Sequence, residues 1–137
     1  MINTNYFKYH FFFLNLLIAV LLSACATTPT MQNLRTADYG ARPDQLEAII
    51  SKYLSETLID PDSLKNLKIG VPKKGWTHTN YGKDILYGYW VYFSYNAKNR
   101  YGGYVGQTTS CAFIKANHID QVWKGNDCQL FVRITEE

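Results

Sequence analysis

Apolar positions follow three rhythms along the chain. From Phe11 to Leu22 they form a nearly unbroken run, interrupted by Asn15. From Leu46 to Leu58 they recur at helical spacing. Leu46, Ile49, Ile50, Tyr53, Leu54 and Leu58 make one stripe, with Gln45, Lys52, Ser55 and Glu56 largely off it. From Ile85 to Asn96 β-formers dominate, with Gly88 among them. The middle segment predicts a helix beginning at Arg42-Pro43-Asp44. Pro43 suits a first turn, where its missing N–H costs nothing. Asp44 and Glu47 put negative charge at the positive end of the helix dipole. Asp60-Pro61-Asp62-Ser63 stops it, because a residue before proline is driven out of the α region.

The rest of the chain reads as strands and turns. Leu64 to Val71 is a predicted strand, ended by Pro72-Lys73-Lys74-Gly75. Trp76 to Asp84, with His78 and Tyr81, reads as a polar loop. Ile85 to Asn96, Tyr104 to Ala116, Ile119 to Trp123 and Cys128 to Thr135 are further strands. Turns fall at 97–103, at Asn117-His118 and at Gly125-Asn126-Asp127. One helix followed by strands means α+β. The expectation is one N-terminal amphipathic helix packed on a curved antiparallel sheet of four to five strands. The central strand poses a problem for that plan. Tyr87, Tyr89, Val91, Phe93 and Tyr95 face one side; Leu86, Trp90 and Tyr92 face the other. One helix cannot cover both sets. Either the sheet curls over itself, or some tyrosines form an exposed platform.

The first apolar run is too short to cross a bilayer comfortably, which takes about 20 residues. It fits the apolar core of a secretory signal, with Lys8 ahead of it and small residues behind. The sequence Leu22-Ser23-Ala24-Cys25 resembles the lipobox of bacterial lipoproteins. That resemblance implies cleavage after Ala24 and a diacylglycerol on the Cys25 thiol. The expected organisation is a signal peptide at 1–24, a flexible tether at 25–37 and one domain at 38–137. An uncleaved anchor is the competing reading. Ala26, where a retention signal would place Asp, resembles the default route to the outer membrane, facing the periplasm.

Composition narrows the function classes. A chain of 137 residues has room for one domain. A formal net charge of +3 is too weak to point to nucleic acid. The two cysteines besides Cys25 are Cys111 and Cys128, and an exported domain favours a disulfide between them. The strand plan objects. Two strand spacings are about 9.5 Å, and a disulfide needs Cα atoms within about 7 Å. No catalytic constellation is legible. His78 and His118 read as solvated, and Asp60 and Asp62 as turn formers. No metal-ligand spacing or cofactor motif stands out.

The segment Asn96-Ala97-Lys98-Asn99-Arg100-Tyr101-Gly102-Gly103-Tyr104 concentrates residues with special properties. The glycines permit positive φ, the asparagines satisfy loop backbone, and Arg100, Tyr101 and Tyr104 offer hydrogen bonds and stacking. Together with Asp60-Pro61-Asp62-Ser63, it resembles small bacterial envelope lipoproteins carrying both segments. That resemblance implies an α+β envelope domain and brings no activity with it. Two readings of the loop stand: a demanding hairpin, or a recognition loop for an envelope protein or glycan. The leading function is a lipid-anchored binding or assembly module without catalysis. The alternatives are an inhibitor of an envelope-attacking enzyme such as lysozyme, and, last, a small envelope hydrolase.

Overall fold

The computed structural model describes residues 28–79 and 84–135. The expected signal peptide, Cys25 and Tyr81 lie outside the described residues. The described elements begin with α1 (Met31–Thr36), α2 (Leu46–Thr57) and a 3-10 turn (Pro61–Ser63). Strands β1 (Lys65–Ile69), β2 (Lys73–His78), β3 (Ile85–Asn96), β4 (Thr108–Lys115) and β5 (His118–Lys124) follow. Helix α3 (Asp127–Phe131) and β6 (Arg133–Ile134) end the fold.

The α+β composition is present, but its expected details need correction. Three α-helices stand among the described residues, where one was predicted, and the sheet has six strands. The sheet is open: its order is β5-β4-β3-β2-β6, with β1 paired to β3. All the pairings are antiparallel. Strand β3 organises the sheet. Its first half pairs with β2 and its second half with β1, on the same side, while β4 lines the other side. The missed strand is β2. Its sequence, Lys-Lys-Gly-Trp-Thr-His, has little β signal of its own, and six residue pairs along β3 override that.

The sheet stays open because different segments cover its two faces. On one face, Ile50 and Leu54 of α2 bury completely against Val91, Phe93, Tyr95, Ala112 and Ile114. Leu46, Ile49, Tyr53 and Leu58, the rest of the helical stripe, pack around them. The helix itself begins at Leu46, later than Pro43 suggested. On the other face, Trp90 and Phe113 meet edge-on at 5.0 Å. The cover there is α3, where a strand was expected. It brings Cys128 onto Cys111, and the two form a disulfide with Cα atoms 5.8 Å apart. Cys128 sits on a helix that folds back over the sheet, so the two-strand spacing does not separate the pair. The paired tyrosine alternatives resolve the same way: Tyr89 and Tyr95 are core, while Tyr92 remains 39% exposed.

Helix α1 falls within the segment expected to be tether. Thr30 caps it through the Asn33 N–H, and none of its residues is buried. Its successor, Tyr39, is buried and edge-on to Tyr87 at 5.7 Å.

Burial pushes the Tyr95 phenol above the ordinary tyrosine value of 10.0, with the nearby Tyr53 adding to the rise and a hydrogen bond with Ser110 opposing it. The folded state therefore holds this proton more tightly than the unfolded chain. The associated stability is complete below pH 10 and is lost as pH rises through the folded-state value. Thermal melts from pH 9 upward should show the melting temperature falling, and Tyr95→Phe should flatten that decline. An unchanged slope in the variant would sink the assignment.

Candidate functional site

The loop from Asn96 to Gly106 is built as a hairpin with a firm base and an exposed tip. Ala97 is buried and plugs the base into the α2 core. Beside it, the Lys98 N–H donates to Ser63 Oγ at 2.9 Å, and Ser63 Oγ donates to the Asp60 carbonyl at 2.7 Å. Lys98 Nζ also approaches the Asp60 carboxylate at 3.9 Å, on the surface. The Asp60–Ser63 turn is therefore both the stop after α2 and the ledge that holds the hairpin. The two segments singled out in the sequence meet in space.

Asn99 shapes the turn. Its Oδ1 accepts the N–H groups of Tyr101 at 2.9 Å and Gly103 at 3.2 Å. Its backbone N–H donates to the Gly103 carbonyl, and its carbonyl accepts from Gly102 N–H. Gly102 has φ +80°, a conformation that a Cβ would strain. Lys98 and Tyr104 pair across the hairpin. With the backbone satisfied internally, the tip side chains are left to solvent. Tyr101 is 81% exposed and Val105 62%. The Arg100 guanidinium lies 5.1 Å from the Tyr101 ring.

Tyr104 sits lower, under two ammonium groups. Lys65 Nζ is 4.2 Å from its ring centroid and Lys98 Nζ 5.8 Å. Such cation–π contacts hold a ring in place without burying it. Lys65 was not legible as part of this site. It arrives through the β1–β3 register, which places it opposite Asn96. Asn96 itself ends β3 half-buried, with Oδ1 unpartnered. The arrangement offers an aromatic face, a guanidinium and nearby ammonium groups, with no nucleophile or general base among them.

The histidines do not converge. His78 ends β2 against Trp76, with ring centroids 5.4 Å apart, and its carbonyl accepts the Gln121 amide at 2.6 Å. His118 opens β5, with two strands, β4 and β3, between it and β2 in the sheet order. Among the described residues, no three His, Cys, Asp or Glu side chains gather as a metal site. No family model, curated protein or solved structure matches the chain.

Proposed function

We propose that this chain is a lipid-anchored cell-envelope recognition module that presents the 98–104 hairpin to a partner and does no catalysis. The observation that carries the reading is the exposed tip on its braced base. A loop that spends Asn99, Ser63 and two glycines on its own backbone leaves Arg100 and Tyr101 free to contact something else. Tyrosine and arginine are the residue types that concentrate binding energy at protein interfaces. The Cys111–Cys128 disulfide supports an oxidising compartment. The sequence Leu22-Ser23-Ala24-Cys25 supports an anchor on Cys25, in the outer membrane facing the periplasm. The partner class is an envelope protein or a glycan.

The finger-like projection favours one specialised form of this reading: an inhibitor whose tip plugs the active site of an envelope-attacking enzyme such as lysozyme. An assembly role would rely instead on a broad apolar surface, and the exposed apolar side chains outside the hairpin include Ile59, Val71, Tyr92, Leu130, Phe131 and Ile134.

The test is a crosslinked pull-down from the native envelope with intact lipidated protein, beside a Cys25→Ala control. Arg100→Ala with Tyr101→Ala should keep the melting temperature within about 1 °C or 2 °C, since surface changes are usually near neutral. The same double variant should lose a stoichiometric partner. Retained capture would refute the tip as the contact, and an unfolded variant would make the hairpin a structural element.

A further inference from the structure

A second feature stands apart from the hairpin. A groove of about 830 Å³ opens beside β2, lined by Arg42, Lys73, Lys74, Tyr89, Val71 and Ile134 among others. Arg42 and Lys73 bring cationic side chains to it, and none of its lining residues among the described ones is acidic. Val71 and Ile134 bring exposed apolar surface to it, at 68% and 39%. Tyr89 closes its floor, with its hydroxyl donating to the Gly40 carbonyl at 3.4 Å.

The groove lies where the chain enters the domain. Lys74 Nζ is 5.7 Å from the Tyr39 ring, and the Tyr39 hydroxyl donates to the Leu34 carbonyl of α1. Lys115 Nζ donates to the Asp38 carbonyl at 3.3 Å and fastens the same segment to the sheet. Six backbone steps lead from Cys25 to Met31. At no more than about 3.5 Å each, they hold the start of α1 within roughly 20 Å of any bilayer that anchors Cys25. Met31 is itself 66% exposed.

We propose that this groove seats the headgroup of an anionic phospholipid of the anchoring bilayer, and so fixes which way the hairpin points. The proposal rests on the lipid-anchor reading of Cys25. A cationic cleft attracts a phosphate only over about a Debye length, near 8 Å at physiological salt. The short tether lets the entry side of the domain approach the bilayer to within that range. Its apolar rim matches the glycerol and first methylenes below a headgroup. With headgroup and tether both engaged, the domain has one preferred face toward the membrane.

The experiment uses the lipidated chain in nanodiscs of phosphatidylcholine, alone or doped with phosphatidylglycerol. Mass spectrometry first establishes acylation of Cys25, which tests the anchor independently. Hydrogen exchange is then followed in peptides covering 39–45 and 70–75. Exchange should slow in the anionic discs and recover in high salt. Arg42→Glu with Lys73→Glu should abolish the difference, since each cation near an anionic surface is worth roughly a fivefold change in partition. Equal exchange in both discs would overturn the proposal. So would inorganic phosphate reproducing the protection in neutral discs, which would make the groove a site for free anion. Glu136 and Glu137 follow Thr135, another residue lining the groove. If protection appears only in Glu136→Gln with Glu137→Gln, the chain's own end is the occupant and the proposal fails. If Cys25 proves unacylated, co-sedimentation of the unanchored chain with the same two vesicle types reads the groove by itself.

Discussion

Replacing Cys111 and Cys128 with alanine should cost this domain about 3 kcal/mol. The two cysteines are 17 positions apart. In the chain-entropy account, a loop of that size restricts the unfolded ensemble by roughly 3 kcal/mol when cross-linked. The native side adds to this. Both cysteines are at most 2% exposed and share a cluster with Trp90 and Phe113. Removing two sulfurs there also opens space under Trp123 and Val132, which pack on the same cluster. Serine is the less informative substitution, because it buries hydroxyls in an apolar site and adds about 1–3 kcal/mol for each left unsatisfied.

Urea unfolding of the wild type with and without reductant, beside the double alanine variant, measures the effect. For a domain of about 100 residues, 3 kcal/mol corresponds to a melting temperature lower by more than 10 °C. The reduced wild type should fall close to the variant. A loss under about 1 kcal/mol in both would mean that α3 holds the second face without covalent help. That outcome would place its hold in the stacking of Phe131 on Trp123 at 4.1 Å. The prediction bears on compartment as well. A domain that depends this heavily on a disulfide is suited to an oxidising compartment and poorly suited to a reducing cytosol.

The same disulfide shows where the sequence was readable and where it was not. The helical stripe from Leu46 to Leu58 and the alternation in β3 announce themselves because each is a local rhythm repeated over three or more turns or pleats. The compartment argument for Cys111–Cys128 pointed to a pair that the strand plan seemed to forbid. The error lay in Cys128. Asp-Cys-Gln-Leu-Phe is too short for any periodicity to tell helix from strand, and only the tertiary position of α3 decides it. Strand β2 was lost for a related reason. Lys73, Lys74 and Gly75 look like a turn, and their strand conformation comes from β3. At the site, the residues of the hairpin tip were legible as unusual chemistry, whereas Lys65 and the contact of Ser63 with the hairpin were not. Their contacts depend on how β1 registers against the end of β3, which no local pattern encodes.

Gly88→Ala should be strongly destabilising, although the residue is an ordinary strand position by φ. Gly75 and Gly88 face each other across the β2–β3 ladder. A Cβ on Gly88 would lie 2.7 Å from the Ile114 carbonyl oxygen and 2.8 Å from Phe113 Cζ. The carbonyl belongs to β4 and cannot retreat without parting the two longest pairing partners in the sheet. A Cβ on Gly75 would meet the Arg133 carbonyl and the Trp90 ring, whose Cδ1 would be 2.5 Å away. That ring crosses over β2, with its Nε1 donating to the Trp76 carbonyl at 3.2 Å. The bare backbone at both glycines is thus what leaves room for the Trp90 and Phe113 rings. Alanine stiffens the unfolded chain, which returns about 0.4–1 kcal/mol. Overpacking a tight core costs about 1–3 kcal/mol or more, so the clash wins. Gly75→Ala should also disturb Trp90 and release β6, visible as a change in near-ultraviolet circular dichroism. Gly103→Ala is the matched control. Its Cβ would find only Asn99 Oδ1, at 3.9 Å, and it lies on the exposed hairpin. Urea unfolding of the three variants should rank Gly103→Ala beside the wild type and the other two well below it. Equal stability for Gly88→Ala and Gly103→Ala would mean that β3 and β4 can separate at little cost. In that case the hairpin that joins them would not be held at the fixed angle that recognition by Arg100 and Tyr101 requires.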